Sequence, residues 1–405
     1  MGIRPHSGLR RVARLTIHPR IWFRCLTALL ISILRRLLWS MVGRPIGNPE
    51  ETLFVVKNSL SVFYALEYAR LLSERVNSKC AITAMRRLRP EIEKRANEES
   101  ISIRFTPLHK AMFGKWRLTI YTHHYLGFCF DQTTPSVYVS HGIETGKKEY
   151  YDTVYTYGFK GMITPWKPIY QTMIATHAME IDNAAREYAS YRGVVTTSTN
   201  AVLERLLLRA EQKTSLKARV ELTDGRPVVL FMSTWGHPSL MSSHGKELAQ
   251  EIESLGKDFH LVFSVHPKLA NSKRAKSILR SLLANGAKVI PPTTSWIDYM
   301  AVSDVAVSDI TSMCLYSALL GIPTVFVDPP LHRLIPGGLV EELVRHSPQA
   351  RSVRDLKPRL WDALHRPNID VLKRLRSQFP HLGHAAHLAA TIESTRHRQD
   401  SLRSR

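Results

Sequence analysis

Several short apolar runs in the sequence end in side chains that bind anions or move protons. His141 follows one run, Thr234 follows a second, and His266 and Lys268 follow a third. A fourth run ends in the segment Ser-Asp-Ile-Thr-Ser at 308–312. Imidazole, ammonium and hydroxyl groups hold phosphate oxygens, and a neutral imidazole can take a proton from an alcohol. These positions are therefore the candidates for an anion-binding or proton-transferring site.

The segment 308–312 lies where an apolar run meets a predicted helix. Thr311 or Ser312 can cap that helix, which alone would explain the hydroxyl groups. A helix N-terminus at the edge of a sheet also offers N–H groups and a favourable dipole to a phosphate. We expect Asp309, Thr311 and Ser312 to contact a phosphate group, with Thr234 nearby. Glycine-rich phosphate loops of the GxGxxG or GxxxxGKS/T type are absent from the sequence.

The two histidines are candidates for different chemistry. His266-Pro267-Lys268 places two potential cations at the end of one run, and the proline stiffens the turn between them. That arrangement favours anion binding at His266 and Lys268. His141 precedes Gly142, which permits a sharp turn and the close approach of a ligand, so its imidazole is a candidate general base. A histidine held inside the fold is the alternative for His141.

Lys147 and Lys148 follow within a few residues and are candidates for the acceptor side of the site or for a phosphate contact. Metal chemistry is not indicated, because no DxD motif lies between apolar runs, and Asp304 and Asp309 are five residues apart. We therefore expect no metal and no cofactor.

The charge of the chain is strongly positive and is concentrated at its N-terminus. There are 56 lysines and arginines against 34 aspartates and glutamates, and no acidic residue precedes Glu50. This balance implies a membrane surface, nucleic acid or phosphorylated substrates as partners. An RNP motif and a zinc finger are both absent from the sequence, which argues against nucleic acid. The four cysteines form no CxxC pair, as is typical of a reducing compartment.

The segment Ile21–Val42 is predicted to be an amphipathic helix that lies on an anionic membrane surface. Its longest uncharged run, Cys25 to Leu34, is too short to span a bilayer. Helical spacing places basic and polar residues such as Arg24 and Arg35 on one side and large apolar ones on the other. A helix packed on the protein's own core, or a transit peptide, is the alternative. The apolar side comprises Phe23, Leu26, Leu30, Ile33, Leu34, Leu37 and Met41.

From residue 50 onward, short apolar strands alternate with helical patterns. Such runs are typical of parallel sheets covered on both faces. With right-handed crossovers they form two doubly wound α/β domains, in which ligands bind beyond the carboxyl ends of the strands. The predicted strands are 53–56, 81–84, 101–105, 118–121, 137–140, 194–197, 228–232, 261–265, 289–290, 305–307 and 324–327. The main predicted helices are 60–75, 201–210, 245–255, 272–283 and 311–320, with a short one near Trp296.

A polar stretch at 211–215 and the turn-forming sequence Thr-Asp-Gly-Arg-Pro at 223–227 indicate a domain boundary. A length of 405 residues also fits two domains of about 100–200 residues each. We expect four parts: a basic membrane-associating segment at 1–49, a Rossmann-like domain at 50–215, a second Rossmann-like domain at 220–390 and a basic tail at 391–405.

Three segments of the second half carry a resemblance to a known family. They are LVFSVHPK at 261–268, DYMAVSDVAVSDITS at 298–312 and ALLGIPTVFVD at 318–328. With LFMSTW at 230–235 and VSHG at 139–142, they resemble the CDP-glycerol glycerophosphotransferase family, the teichoic-acid polymerases and primases. The resemblance implies a GT-B-like fold, in which two Rossmann-like domains face a cleft. It also implies peripheral attachment to the cytoplasmic face of the cell membrane.

The resemblance further implies a reaction in cell-surface polymer synthesis. An acceptor hydroxyl, lipid-linked or on a saccharide, attacks the β-phosphorus of a CDP-alditol such as CDP-glycerol, and CMP leaves. The first domain would bind the acceptor and the second the nucleotide donor. His141 matches the family's proposed general base, and His266 matches its histidine near the donor phosphates. Thr311 and Ser312 match its hydroxyl pair at the pyrophosphate.

The sequence departs from the family pattern at two places. Ile143-Glu144-Thr145-Gly146 replaces a proline-containing stretch that shapes the acceptor side. Tyr316 and Ser317 stand where the family has an acid that holds the ribose or a donor hydroxyl. The donor is therefore open between CDP-glycerol, CDP-ribitol and a sugar nucleotide. The alternatives are an inverting GT-B glycosyltransferase for capsule or lipopolysaccharide synthesis and a catalytically inactive scaffold.

Overall fold

The computed structural model describes most of the chain and divides it into two compact units. The first unit comprises the described residues of Met1–His141, Thr153–Ser198 and Ala385–Arg405, and the second those of Gly142–Asp152 and Thr199–His384. The described residues are 19–42, 47–123, 127–139, 142–143, 162–164, 167–187, 189–234, 239–266, 269, 272–291 and 295–403.

In the described part of the chain, the first unit is built on a parallel sheet of seven strands, and β6 and β7 form a separate antiparallel pair. The strands are β1 (Thr52–Val55), β2 (Cys80–Thr83), β3 (Arg104–Phe105), β4 (Leu118–Tyr121), β5 (Ser136–Val139), β6 (Met162–Thr164), β7 (Lys167–Pro168), β8 (Thr172–Ala175) and β9 (Val195–Thr197). The helices are α1 (Pro19–Val42), α2 (Ser59–Val76), α3 (Arg89–Glu98), α4 (Leu108–Phe113), α5 (Met179–Glu187) and, near the C-terminus, α15 (Ala385–Arg403).

The second unit contains a parallel sheet of six strands among its described residues. Its strands are β10 (Val228–Ser233), β11 (His260–Val265), β12 (Lys288–Ile290), β13 (Val305–Ser308), β14 (Thr324–Val327) and β15 (Gln349–Ala350). Its helices are α6 (Ala201–Ala210), α7 (Lys213–Arg219), α8 (Leu240–Gly256), α9 (Lys273–Ala284), α10 (Ile297–Val302), α11 (Met313–Leu319), α12 (Leu339–His346), α13 (Leu356–His365) and α14 (Ile369–Ser377).

The two sheets share one topology. The first has the order β3-β2-β1-β4-β5-β8-β9 and the second the order β12-β11-β10-β13-β14-β15. In each, the strand order reverses once, between β1 and β4 and between β10 and β13, which are the topological switch points of a Rossmann-like sheet. Central strands are buried along their whole length because helices cover both faces. The predicted fold class of two doubly wound α/β domains is confirmed.

The predicted elements agree with the structure except near short or capped segments. The strand expected at 101–105 is only Arg104–Phe105. The helix expected at 245–255 begins earlier, at Leu240, because Ser239 caps it and forms a capping box with Ser242. Strand β8 was not predicted, since its four residues lack flanking glycine or proline signals at both ends.

The units divide at positions that differ from the predicted domain boundaries. Helices α6 and α7 belong to the second unit, where Lys213 and Lys217 of α7 pair with Asp304 at 2.8 and 3.1 Å. Helix α15, which overlaps the predicted tail, belongs to the first unit, and its Glu393 pairs with Arg117 at 2.7 Å. Polar composition marks where turns lie along the chain, but it does not say on which sheet a helix packs.

Helix α1 contacts the first unit through its polar side. Arg35 is only 3% exposed, and its Nη2 donates to the carbonyl oxygens of Met112 and Cys129 at 2.8 and 2.9 Å. Burial lowers the pKa of the Arg35 guanidinium, and the nearby Asp131 carboxylate opposes that effect. Arg35 therefore holds the helix on the protein, whereas the sequence analysis grouped it with Arg24 among the basic residues of a helix lying on an anionic membrane surface.

The other side of α1 is apolar and exposed. Trp39 Nε1 donates to the Phe113 carbonyl at 2.9 Å, which fixes the C-terminal half of the helix with this orientation. None of the described helices is long and apolar enough to cross a membrane. The exposed apolar side chains are those of Phe23, Leu26, Leu29, Leu30, Ile33, Leu34, Leu37, Met41 and Val42.

Candidate functional site

The predicted site residues fall into two groups. Thr234, His266, Asp309, Thr311 and Ser312 belong to the second unit and are described by the structure. The remaining predicted site residues, His141, Lys147, Lys148 and Lys268, lie outside the described residues, so their roles stay predictions.

Three of the described residues follow neighbouring strands at one edge of the second sheet. Thr234 comes after β10, His266 after β11 and Asp309 after β13, and β10 pairs with both of the others in parallel. The His266 amide donates to the Ser233 carbonyl at 3.2 Å, which extends the pairing of β10 and β11 by one residue. These residues therefore meet at the switch point, where open parallel sheets bind ligands.

Asp309 holds the loop after β10 in place. The carboxylate is 2% exposed, and its Oδ2 accepts hydrogen bonds from the amides of Thr234 at 2.9 Å and Leu240 at 3.0 Å. The Ser233 hydroxyl lies 3.4 Å from the same oxygen and accepts from the Met241 amide at 3.1 Å. These bonds give Asp309 a positioning role, and the predicted contact with a donor phosphate stays a prediction.

Thr311 and Ser312 form the turn between Asp309 and α11. Ser312 occupies the N-cap position with a helical backbone and makes no side-chain capping bond, while the Met313 amide lies 3.5 Å from Thr311 Oγ1. The hydroxyl pair therefore contributes little to capping, contrary to one expectation from the sequence. A cap alone does not explain why both hydroxyls are present.

Gly142 lies against this turn. A Cβ atom added to Gly142 would be 3.2 Å from Ser312 Oγ, closer than side chains normally approach, and both residues belong to the second unit. The absence of a side chain at Gly142 lets the chain pass near the hydroxyl without displacing it. The residue that follows His141 in the sequence is consequently in contact with the predicted phosphate-binding turn.

The two positions where the family has an acid are buried in this protein. Tyr316 and Ser317 are both 0% exposed. The Ser317 hydroxyl donates to the Cys314 carbonyl at 2.8 Å and lies 3.0 Å from Thr324 Oγ1. The Tyr316 ring packs against Trp296. Neither side chain reaches the surface, so α11 presents no substitute for the missing acid at these positions.

Sequence reasoning missed a similar strand end in the first unit. Thr176 and His177 follow β8, the parallel neighbour of β5, and Glu180 Oε1 accepts from the Thr176 amide at 2.9 Å and the His177 amide at 3.3 Å. His177 Nδ1 accepts from the Met179 amide at 3.2 Å. The stretch 172–177 repeats the pattern that precedes Gly142, an apolar run followed by a hydroxyl residue and a histidine. The sequence therefore contained the signal that could have identified it.

A metal site is not found in the described part of the chain, where no three histidine, cysteine, aspartate or glutamate side chains cluster suitably. This finding does not cover His141 or the residues around it. Metal independence accordingly stays a prediction.

Comparison with solved structures relates the fold to known enzymes. The wall teichoic acid polymerase TagF superposes with a TM-score of 0.64 at 11% identity, covering 95% of this chain and 99% of TagF. A TagF variant soaked with CDPG gives the same TM-score, identity and coverage. UDP-GlcNAc 2-epimerase from Neisseria meningitidis, bound to UDP-GlcNAc, gives a TM-score of 0.56 at 16% identity, covering 84% of this chain and 98% of the epimerase.

Neither models of known protein families nor the sequences of curated proteins match the chain. At identities this low, the structural likeness concerns the fold and not the activity. TagF is a teichoic acid polymerase, the kind of enzyme that the motifs of this chain resemble. The protein is thus an α/β protein of the GT-B-like class, with two Rossmann-like domains, and it shares this fold with TagF.

Proposed function

We propose that the protein is a membrane-associated transferase that moves glycerol phosphate, or a related polyol phosphate, from a CDP-alditol to an acceptor hydroxyl in cell-surface polymer synthesis. The observation that carries the proposal is the meeting of Thr234, His266 and the turn 309–312 at the switch point of the second sheet. A likeness to TagF over almost the whole of both chains supports it.

In the proposed reaction, the acceptor oxygen attacks the β-phosphorus of the donor. The new P–O bond forms as the bond to the bridging oxygen breaks, and that oxygen leaves with CMP. Charge develops on the phosphoryl oxygens, and fixed donors such as the Thr311 and Ser312 hydroxyls, His266 and Lys268 would stabilise it. His141 would take the acceptor's proton, since a neutral imidazole is suited to that step near pH 7.

The donor assignment is tested by product release from the purified full chain with vesicles present. We expect CMP release from CDP-glycerol or CDP-ribitol and no UDP release from UDP-sugars. His266→Ala should lower the rate by at least about 100-fold, in the range expected for loss of one charge-stabilising group. His346→Ala is the matched control, because the His346 side chain is exposed and its ring bonds to the Glu342 carbonyl within its own helix. EDTA should leave the rate unchanged, and strong inhibition would contradict the metal-free scheme.

The second candidate is an inverting GT-B glycosyltransferase that uses a sugar nucleotide. The donor is open to this alternative because the acid that would hold the ribose or a donor hydroxyl is absent, and buried Tyr316 and Ser317 stand in its place. The epimerase with the similar fold was solved bound to UDP-GlcNAc, which also fits a sugar nucleotide. UDP release without CMP release would establish this alternative and reject the first.

Membrane association is the second part of the proposal, with an anionic leaflet as the partner. The exposed apolar side of α1 suits burial at a lipid interface, while Arg35 and Trp39 keep that side turned outward. Deleting the helix would also remove the partners of the Met112 and Cys129 carbonyls. Point substitutions on the apolar side are therefore the cleaner test.

The double variant Leu30→Glu/Leu34→Glu should reduce flotation with anionic vesicles by at least about 10-fold, since two apolar anchors become charged. Leu283→Glu/Leu331→Glu is the matched control, because these leucines have similar exposure in the second unit. Undiminished flotation of the α1 variant would refute the membrane role of this helix.

A further inference from the structure

A nucleotide donor needs a contact for its base as well as for its phosphates. Helix α11 offers no polar side chain for the nucleoside at 316–317, because Tyr316 and Ser317 are fully buried. If the donor is a nucleotide, as proposed above, the affinity for the nucleoside has to come from another element at the same edge of the sheet.

Among the described residues, Trp296 offers an aromatic side chain for the base. It follows β12 and immediately precedes α10, so it lies on the side of the second sheet where the parallel strands end. It is only partly buried. Its ring packs edge-on against Tyr316, with centroids 5.4 Å apart and an interplanar angle of 65°.

Tyr316 connects Trp296 to the predicted phosphate-binding turn. Ser312 is the N-cap of α11, and Tyr316 lies four residues further along. Residues four apart share a helix face, and helical side chains tilt toward the N-terminus, so the Tyr316 ring leans toward Ser312. Trp296 is thereby held beside the place where the donor phosphates are proposed to bind.

We propose that Trp296 provides the face on which the base of the nucleotide donor stacks. The edge contact with buried Tyr316 fixes the orientation of the indole while leaving it partly exposed. Stacking tolerates any base because every base has a π face, so Trp296 contributes affinity and does not select between cytosine and uracil. Tyr316, which stands where the family has an acid, supports the indole of Trp296.

The test compares binding of two probes to the full chain by calorimetry. CDP carries a base, whereas inorganic pyrophosphate carries only the phosphates. Trp296→Ala should weaken CDP binding by about 10- to 100-fold, as loss of one base stack does, and leave pyrophosphate binding unchanged. Trp296→Phe should retain most of the CDP affinity, because an aromatic face remains.

Trp361→Ala is the matched control. Trp361 is also in the second unit, but it packs against Phe259 and His365, and it should not change the ratio of the two affinities. If Trp296→Ala weakens both probes equally or neither, the stacking role is rejected. Should Trp296→Ala fail to fold, Trp296→Leu, which fills more of the space, replaces it in the same comparison.

The outcomes also separate this inference from the proposed reaction. If the wild-type protein binds CDP but releases no CMP from CDP-glycerol, the proposed transfer is rejected. The CDP affinity of Trp296→Ala then still decides whether the base stacks on Trp296. Normal CMP release with unchanged CDP affinity in Trp296→Ala would reject the stack alone. Wild-type protein that binds neither CDP nor UDP would overturn both.

Discussion

One buried carboxylate organises a strand-end loop in each of the two units. In the first unit, Glu180 is 3% exposed and bonds to the amides of Thr176 and His177, four and three residues away. In the second unit, Asp309 is 2% exposed and bonds to amides 69 and 75 residues away. Glu180 thus shapes its own loop, whereas Asp309 ties the loop after β10 to the end of β13.

This difference determines how much stability each unit would lose without its carboxylate. The amides are buried in both loops, at Thr176 and His177 in the first unit and at Thr234 and Leu240 in the second. A buried N–H without an acceptor is costly in either unit. The Glu180 loop is a local turn that includes the exposed residue Ala178, so it can open to water without disturbing another strand. The loop after β10 would lose its acceptor and its connection to the end of β13 together. The second unit should therefore depend on its carboxylate more strongly than the first.

Asp309→Ala is expected to have the largest effect. It leaves the Thr234 and Leu240 amides without their acceptor, at a cost of about 3 kcal/mol in the free energy of unfolding of the second unit. Urea denaturation measures the loss, and hydrogen exchange should show faster exchange at 234 and 240. Asp309→Asn, which keeps an acceptor oxygen, should recover about half of the stability. If both amides stay fully protected from exchange in Asp309→Ala, Asp309 does not position the loop after β10.

Glu180→Ala should cost less, about 1–2 kcal/mol, because water can replace part of the lost hydrogen bonding. Faster exchange should be confined to 176–180, as measured by hydrogen exchange, with Glu180→Gln as the conservative control. A loss that equals or exceeds that of Asp309→Ala would reverse the ranking of the two carboxylates.

The sequence predicted the position of Asp309 but not its bonds. An apolar run followed by Ser-Asp-Ile-Thr-Ser is a clear strand end, and the parallel sheets follow from the alternation of strands and helices. The partners at Thr234 and Leu240 depend on which strands lie side by side. That order is decided by tertiary packing, and no local pattern in the sequence encodes it.

The first unit was less predictable for a different reason. Strand β8 has four residues and is flanked by weak turn signals, so the loop with Thr176, His177 and Glu180 had no predicted strand to follow. The burial of Tyr316 was also not predictable. A tyrosine on a helix suits the surface as well as the core, and tertiary contacts such as that with Trp296 decide between them.

A third carboxylate, that of Asp304, lies at the opposite edge of the second sheet, before β13. Its Oδ2 accepts from the Val228 amide at 2.8 Å, and Lys213 and Lys217 pair with it. Burial alone would raise the pKa of Asp304, but the hydrogen bonds from Lys213, Val228 and Lys217 outweigh it and lower the pKa below its usual value. Unlike Asp309, this carboxylate owes part of its stabilisation to cations.

Asp304→Asn should therefore cost about 1 kcal/mol at neutral pH, since the amide keeps the bond to Val228 and loses the attraction of the lysines. Because the folded pKa is lowered, the wild type should lose this advantage as the pH falls below about 4. Urea denaturation of both proteins between pH 3 and about pH 7 checks this. A constant difference across that range would mean that the charge of Asp304 is unimportant.

Gly142→Ala is expected to have the smallest effect and concerns the turn that Asp309 precedes. The added Cβ would be 3.2 Å from Ser312 Oγ and 3.8 Å from Ser312 Cβ, so the clash involves the hydroxyl alone. A shift of a few tenths of an ångström relieves it, at about 1 kcal/mol or less. In a Ser312→Ala background the cost should vanish, which a double-mutant cycle by urea denaturation measures. An equal cost in both backgrounds would place the strain in the backbone of Gly142, and the hydroxyl of Ser312 would then have no part in it.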